Sequence, residues 1–229
     1  MPNIALTNSS NKEPSFVKKG LNRGMENVDA TSLTTPRLKQ LQSMSPEVDE
    51  YNPAFIKGAK PGLFANNLGE LYGNEIYAIS INFKLEYVVW RTRESGGGYI
   101  GSFSNIKEAN AAIELKVEEG EGKETDFTVE ETHSHLMLLK DPETGDLSPT
   151  PVIMDFAKSK LSVSKSWNSK LATKGGDRFS TLWKLSTTQI SMKSGGSYLN
   201  IRTELVGWVQ DADYKAAEQI YASMLKSWD

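Results

Sequence analysis

Residues 179–192 (FSTLWKLSTTQISM) and 197–209 (SYLNIRTELVGWV) flank a four-residue KSGG stretch at 193–196. Both runs alternate polar and apolar residues, and the paired glycines supply turn positions that other residues resist, so this is the strongest hairpin signal in the chain. Upstream, residues 160–172 (KLSVSKSWNSKLA) place Leu161, Val163, Trp167 and Leu171 on an approximate helical stripe that Gly175 and Gly176 end. Downstream, Asp211 caps a last helix over 212–228, whose Tyr214, Ala217, Tyr221, Met224 or Leu225, and Trp228 form an apolar face.

The rest of the chain reads mainly as strands. Residues 75–83 (EIYAISINF) and 85–93 (LEYVVWRTR) are rich in β-branched and aromatic residues, and ESGGG at 94–98 is a turn before 99–103 (YIGSF). These predict sequential antiparallel strands. Residues 105–116 (NIKEANAAIELK) predict a short helix with Ser104 or Asn105 as its cap. Residues 127–140 and 151–156 flank a loop dense in turn formers and predict a long hairpin or adjacent strands. A short helical piece is expected at 37–44 behind Pro36, and 55–64 (FIKGAKPGLF) reads as a loop packed on the domain. Residues 1–34 lack an apolar period and read as a disordered or loosely docked tail, leaving 35–229 as one domain. The fold class is mainly β (α+β). Several short strands, an internal helix, a closing hairpin and a C-terminal helix match an OB-like five-stranded barrel with added strands, and β-sandwiches or other mixed folds accept the same string.

Composition narrows the function classes. The 229 residues are 38% hydrophobic and 24% charged, ordinary values for a soluble globular protein, and no apolar stretch is long enough to span a bilayer. The first ten residues (MPNIALTNSS) have neither a basic nor an apolar signal region, and the chain has no cysteine. Disulfides, thiolate metal sites and cysteine nucleophiles are excluded, and a cytoplasmic setting is expected.

The net charge of −3 hides two opposite blocks. Between 156 and 203 stand Lys158, Lys160, Lys165, Lys170, Lys174, Arg178, Lys184, Lys193 and Arg202 against one acid, Asp177. Trp167, Phe179, Trp183 and Tyr198 are threaded among them. Cations neutralise phosphates and flat rings stack on unpaired bases, a combination suited to single-stranded nucleic acid. The competing reading is a solvated basic face over a core that holds the rings. The opposite block, 114–131, carries eight acids against Lys116 and Lys123 and reads as a solvated loop, or as an acidic arm that competes with nucleic acid for the basic face.

Catalytic patterns are weak. The glycines at 96–98 and 101 lack the Lys-Ser/Thr ending of a phosphate loop and run from strand to strand. Their functional version is a β-ribbon that carries Arg91, Arg93 and Tyr99 near its tip. His133 and His135 share a strand face with Glu131, but no second ligand cluster matches them, so no metal site is assigned. No histidine lies near the serine-rich 162–169 run to activate a nucleophile.

The runs SPEVDEYNPAFIKGAKPG (45–62), YVVWRTRESGGGYIGSF (87–103) and KSKLSVSKSWNSKL (158–171) resemble small bacteriophage proteins, some of them regarded as single-stranded DNA-binding proteins of phage replication modules. The resemblance covers most of the chain from about Thr35 and implies an OB-fold binder. One departure is that this sequence ends SMLKSWD, without the long acidic tail with which many such binders recruit replication partners. The expectation is a non-enzymatic, sequence-tolerant binder of single-stranded DNA, with RNA as the other strand it would take, acting in phage replication or recombination and needing no cofactor. Stacking is assigned to Trp90, Tyr99, Trp167, Phe179, Trp183 and Tyr198. Phosphate contacts are assigned to Arg91, Arg93, Lys158, Lys160, Lys165, Lys170, Lys174, Arg178, Lys184 and Arg202. A protein-interaction module that binds a host enzyme, and a metal-dependent nuclease, are the alternatives.

Overall fold

The computed structural model describes Gly24 and residues 34–193 and 195–224. The chain divides into two units between Thr34 and Thr35, and the fold is that of the second. Eight strands form one mixed sheet: β1 (Arg37–Gln40), β2 (Phe64–Asn66), β3 (Glu75–Arg91), β4 (Gly98–Phe103), β5 (Phe127–Lys140), β6 (Val152–Ala157), β7 (Thr181–Ser191) and β8 (Ser197–Trp208). Their order is β2-β1-β6-β5-β3-β7-β8, with β4 paired to the far half of β3. Three helices cover it: α1 (Ile106–Glu118), α2 (Leu161–Lys174) and α3 (Asp211–Met224). No helix among the described residues is long and apolar enough to cross a membrane.

The sheet is curled into a half-barrel. A flat sheet would hold β1 and β8 roughly 24 Å apart, five steps of about 4.8 Å. Yet the Gln40 amide on β1 donates to the Asn200 carbonyl on β8 and to Thr187 Oγ1 on β7, both at 2.8 Å. A side chain bridges that seam only if the sheet bends its two ends toward each other. The mainly β class with three helices agrees with expectation, and the 179–209 hairpin forms as β7 and β8.

Two expected elements differ. Residues 37–40 form strand β1 instead of a helical start, because Leu38 and Gln40 alternate inward between β2 and the parallel neighbour β6. Residues 75–91 form one 17-residue strand, not two. Lys84 does not break the strand: it pairs with Ser134, and the ladder's irregularity is a bulge between Ser80 and Asn82. The disordered or loosely docked tail expected over 1–34 lies, apart from Gly24 and Thr34, outside the described residues, as do Ser194 of the turn and Leu225 and Trp228 of the last helix.

The period of two along β5 sends its side chains to two cores. Met137 and Leu139 join Ile76, Ala78, Trp183, Leu185 and Ile201 beneath α2, which contributes Trp167 and Leu171. Leu136 and Leu138 join Ile79 and Ile81 beneath α3, where Ala217, Tyr214 and Tyr221 close over Phe179. Past these layers β3 and β5 run on with β4 as an arm. Its own small core of Val89, Ala109, Ile113 and Phe127 is covered by α1, whose start is capped by the Asn105 side chain accepting from the amides of Lys107 and Glu108.

A buried polar chain fastens α2 to the concave face. Arg178 Nη2 donates to His135 Nδ1 at 2.9 Å. A guanidinium has no acceptor, so that ring nitrogen is bare and the His135 proton sits on Nε2, 2.6 Å from Ser164 Oγ. The serine hydroxyl in turn points to His133 Nδ1 at 2.8 Å. His133 Nε2 makes no well-formed hydrogen bond, and its nearest oxygen is Glu131 Oε1 at 3.3 Å. Arg178 also donates to Ser80 Oγ at 2.7 Å and Asn168 Oδ1 at 2.8 Å, with its guanidinium over the Phe83 ring. Trp167 stacks on His135 with ring centres 4.7 Å apart. Loss of water holds His135 well below its ordinary pKa, an effect that Arg178 and His133 reinforce. Desolvation lowers His133 too, against the pull of Glu131.

Two outcomes follow from this packing. Trp167→Ala should lower the unfolding free energy by about 3–5 kcal/mol, because it empties a fully enclosed site, and a urea midpoint close to wild type would contradict its core role. Both histidines are depressed in the folded state, so the unfolded chain takes up protons first as pH falls. Stability should therefore be full above the ordinary histidine value of 6.5 and decline below it. Urea unfolding from pH 8 to 5 checks this: a flat profile across that window would mean that the two rings titrate freely.

Candidate nucleic-acid interface

The residues expected to bind nucleic acid fall into four groups. The first lies on the arm. Trp90 and Tyr99 face each other across β3 and β4, ring centres 5.5 Å apart and nearly edge-on, and are 39% and 58% exposed. Strand alternation turns Val89 into the α1 core and Trp90 away from it, and a bulge that adds Ile100 on β4 sets Tyr99 opposite Trp90. Arg93 opens the exposed turn next to them. Gly96, Gly97 and Gly98 hold φ values of +102°, +67° and +126°, which side-chain-bearing residues rarely adopt, and a Cβ added at any of them would meet nothing within 4 Å. The ribbon end is open backbone. Arg91, by contrast, is committed within the fold: it donates to the Glu121 carbonyl at 2.8 Å and carboxylate at 3.2 Å and lies over Phe127.

The second group lines a shallow groove of about 430 Å³ at the barrel seam, where Lys158, Lys160 and Tyr198 meet Gln42, Met192 and Leu199. Lys158 has φ +54°, the sole non-glycine with positive φ among the described residues, and is ion-paired outward to Glu130 at 2.7 Å. Lys160 is half-buried, and desolvation together with nearby Lys39 lowers its pKa.

The third group is core. Trp167, Phe179 and Trp183 are 0%, 5% and 1% exposed, which removes them from any stacking surface. The alternation that placed Trp183 on a strand sends it inward with Leu185, and its Nε1 is satisfied by Thr181 Oγ1 at 2.8 Å. Arg178 belongs here too, since it is spent on His135, Ser80 and Asn168; burial lowers its pKa to about 10.

The fourth group is cations engaged by the protein itself. Lys165 pairs with Glu131 at 3.0 Å, Lys184 with Glu204 at 3.0 Å and Arg202 with Glu204 at 2.7 Å. Lys170 donates to the Thr203 carbonyl at 2.8 Å. Lys174 is exposed on the last turn of α2. The acidic segment explains much of this, because Glu121, Glu130 and Glu131 pair with Arg91, Lys158 and Lys165. The two charge blocks meet in space at Glu130 and Glu131, where Lys165 lowers the Glu131 pKa, whereas Glu121 is lowered from within the acidic block by Lys116.

Some residues that shape these surfaces carry no sequence signal of their own. Gln42, Met192 and Leu199 come to the groove only because the sheet curls. Ser164 and Asn168 belong to the serine-rich 162–169 run, and their spacing on α2 relative to Trp167 is the one signal that places them near the helix's inward stripe. His133, His135 and Glu131 do share the strand face expected of them, but Ser164 and Lys165 occupy them, and among the described residues no group of three His, Asp or Glu is arranged to hold a metal ion.

No curated protein and no solved structure matches the chain. The family model described as Pam3 phage gp34-like protein matches residues 7–227, a span that takes in the arm, the groove and all eight strands. This chain is a phage protein and belongs to the Pam3 phage gp34-like family.

Proposed function

We propose that this phage protein binds single-stranded nucleic acid, DNA in the first place, with the arm as its contact surface. The observation that carries the reading is the exposed Trp90–Tyr99 pair beside Arg93 and the open glycine backbone. Unpaired bases stack on such rings whatever their identity, which gives sequence-tolerant binding without a cofactor or chemistry on the strand. The glycine turn lets a phosphate backbone approach closely. A role in phage replication or recombination in the host cytoplasm fits such a binder. An OB-like binding face is part of the proposal and is supported by the curl of the sheet, although eight strands and a helix within the curl exceed the five-stranded plan.

A second reading, a protein-interaction module, is favoured by one feature. Edge strand β8 ends with Leu205, Val206 and Trp208 exposed, and apolar side chains on a sheet edge are a template for another chain. A nuclease has less support, since the described acids pair with cations in place of converging.

Oligo-dT binding tests the proposal. Trp90→Ala should weaken affinity by roughly 1–3 kcal/mol, with little change in the urea midpoint, because Trp90 lies outside the cores. Unchanged affinity would remove the arm from the interface. The log-log salt slope should be shallow despite the basic 156–203 stretch, at about −1.5 to −2, since each phosphate contributes about −0.7 and most of its cations are already paired. A slope of zero would end the electrostatic part of the proposal, and magnesium-dependent loss of the oligonucleotide would turn the assignment toward the nuclease.

A further inference from the structure

The seam groove holds a positive charge that the protein does not balance. Lys158 has Glu130 at 2.7 Å and Lys39 has Glu47 at 2.5 Å. Lys160, which lines the groove between them, has no ion pair or hydrogen bond from its ammonium to any described residue, and the charge felt most strongly there is another cation, Lys39. Half-burying an ammonium costs free energy unless an anion accompanies it. The rest of the lining is mainly apolar, with the Tyr198 ring, Met192 and Leu199 beside the polar Gln42 and Ser159. The turn that presents the lysines is held, not loose. Asn200 Nδ2 donates to the Ser159 carbonyl at 3.2 Å, and Lys158 keeps its left-handed backbone at the lip, a conformation that persists only where surrounding contacts impose it. The volume of about 430 Å³ is in the range of small-molecule sites, about 300–1,000 Å³.

We propose that this groove is a nucleotide site, with the phosphate on Lys160, the base against Tyr198, and Lys158 exchanging its weak, solvent-exposed pair with Glu130 for the phosphate. The nucleotide is either free or one link of a strand. The arm plays no part in the argument, so the site stands or falls separately from strand binding by Trp90 and Tyr99.

Isothermal titration of the full chain with dTMP tests it, beside thymidine and inorganic phosphate. Saturable dTMP binding is expected, at least tenfold tighter than either fragment, because each fragment keeps only half of the contacts. Lys160→Met, which retains the aliphatic stem, should weaken dTMP tenfold or more, as should Tyr198→Ala. Oligo-dT affinity distinguishes the sources: it falls with Lys160→Met if the site takes a link of a strand and holds if it takes a free nucleotide. Lysine acylation of the wild-type protein, mapped by peptide, needs no variant, and dTMP should protect Lys160 and Lys158 several-fold. Absence of saturable dTMP binding, or binding that neither Lys160→Met nor Tyr198→Ala alters and that leaves Lys160 unprotected, would overturn the proposal.

Discussion

One enclosed hydroxyl, Ser164 Oγ, bridges two imidazoles, and the arrangement around it makes α2 and the curled sheet a single body. Each link from Arg178 to His133 has a fixed direction, since the guanidinium only donates and each imidazole presents one bare nitrogen to the donor before it. The stack of Trp167 on His135 adds apolar contact to the same point, so polar and apolar attachment of α2 coincide. The helix therefore cannot slide along the sheet without leaving a buried polar atom unpaired, which costs more than the hydrogen bond is worth when formed. A purely apolar interface would have tolerated neighbouring registers; the hydroxyl between two rings selects one.

The sheet's curl follows from that attachment and from the Gln40 bridge across the seam. With α2 in the concavity, strands distant in order come together, and the groove is the gap that remains where they meet. Its residues are drawn from the end of β1, the segment after β6 and the β7–β8 turn region. The site is thus a product of curvature, and nothing local in any of those segments encodes it.

Local signals were legible wherever one segment decides its own state. Asn105 as a cap, the KSGG hairpin and the apolar faces of α2 and α3 depend on neighbours a few residues away, and the structure has them. Residues 37–40 misled because four residues carry too little period to reveal that two strands flank them. Lys84 misled because a charged residue in a long ladder looks like punctuation. The site was half legible for a different reason. Clustering of cations in sequence says nothing of the acids they will face, and Glu121, Glu130, Glu131 and Glu204 quench Arg91, Lys158, Lys165, Lys184 and Arg202. Trp90 and Tyr99 were recognisable as candidates, yet only the packing of the helices decides that Trp167 and Trp183 face a core while Trp90 and Tyr99 face away from one.

The arm has a core that shares no residue with those under α2 and α3. Its reach is consequently a free architectural variable. Adding two residues to each of β3 and β5 beyond Glu86 and Thr132 would lengthen it by about 6.6 Å while returning each side chain to its face. Members of a lineage could tune how far the tip stands from the body by paired insertions, leaving the Ser164 junction untouched.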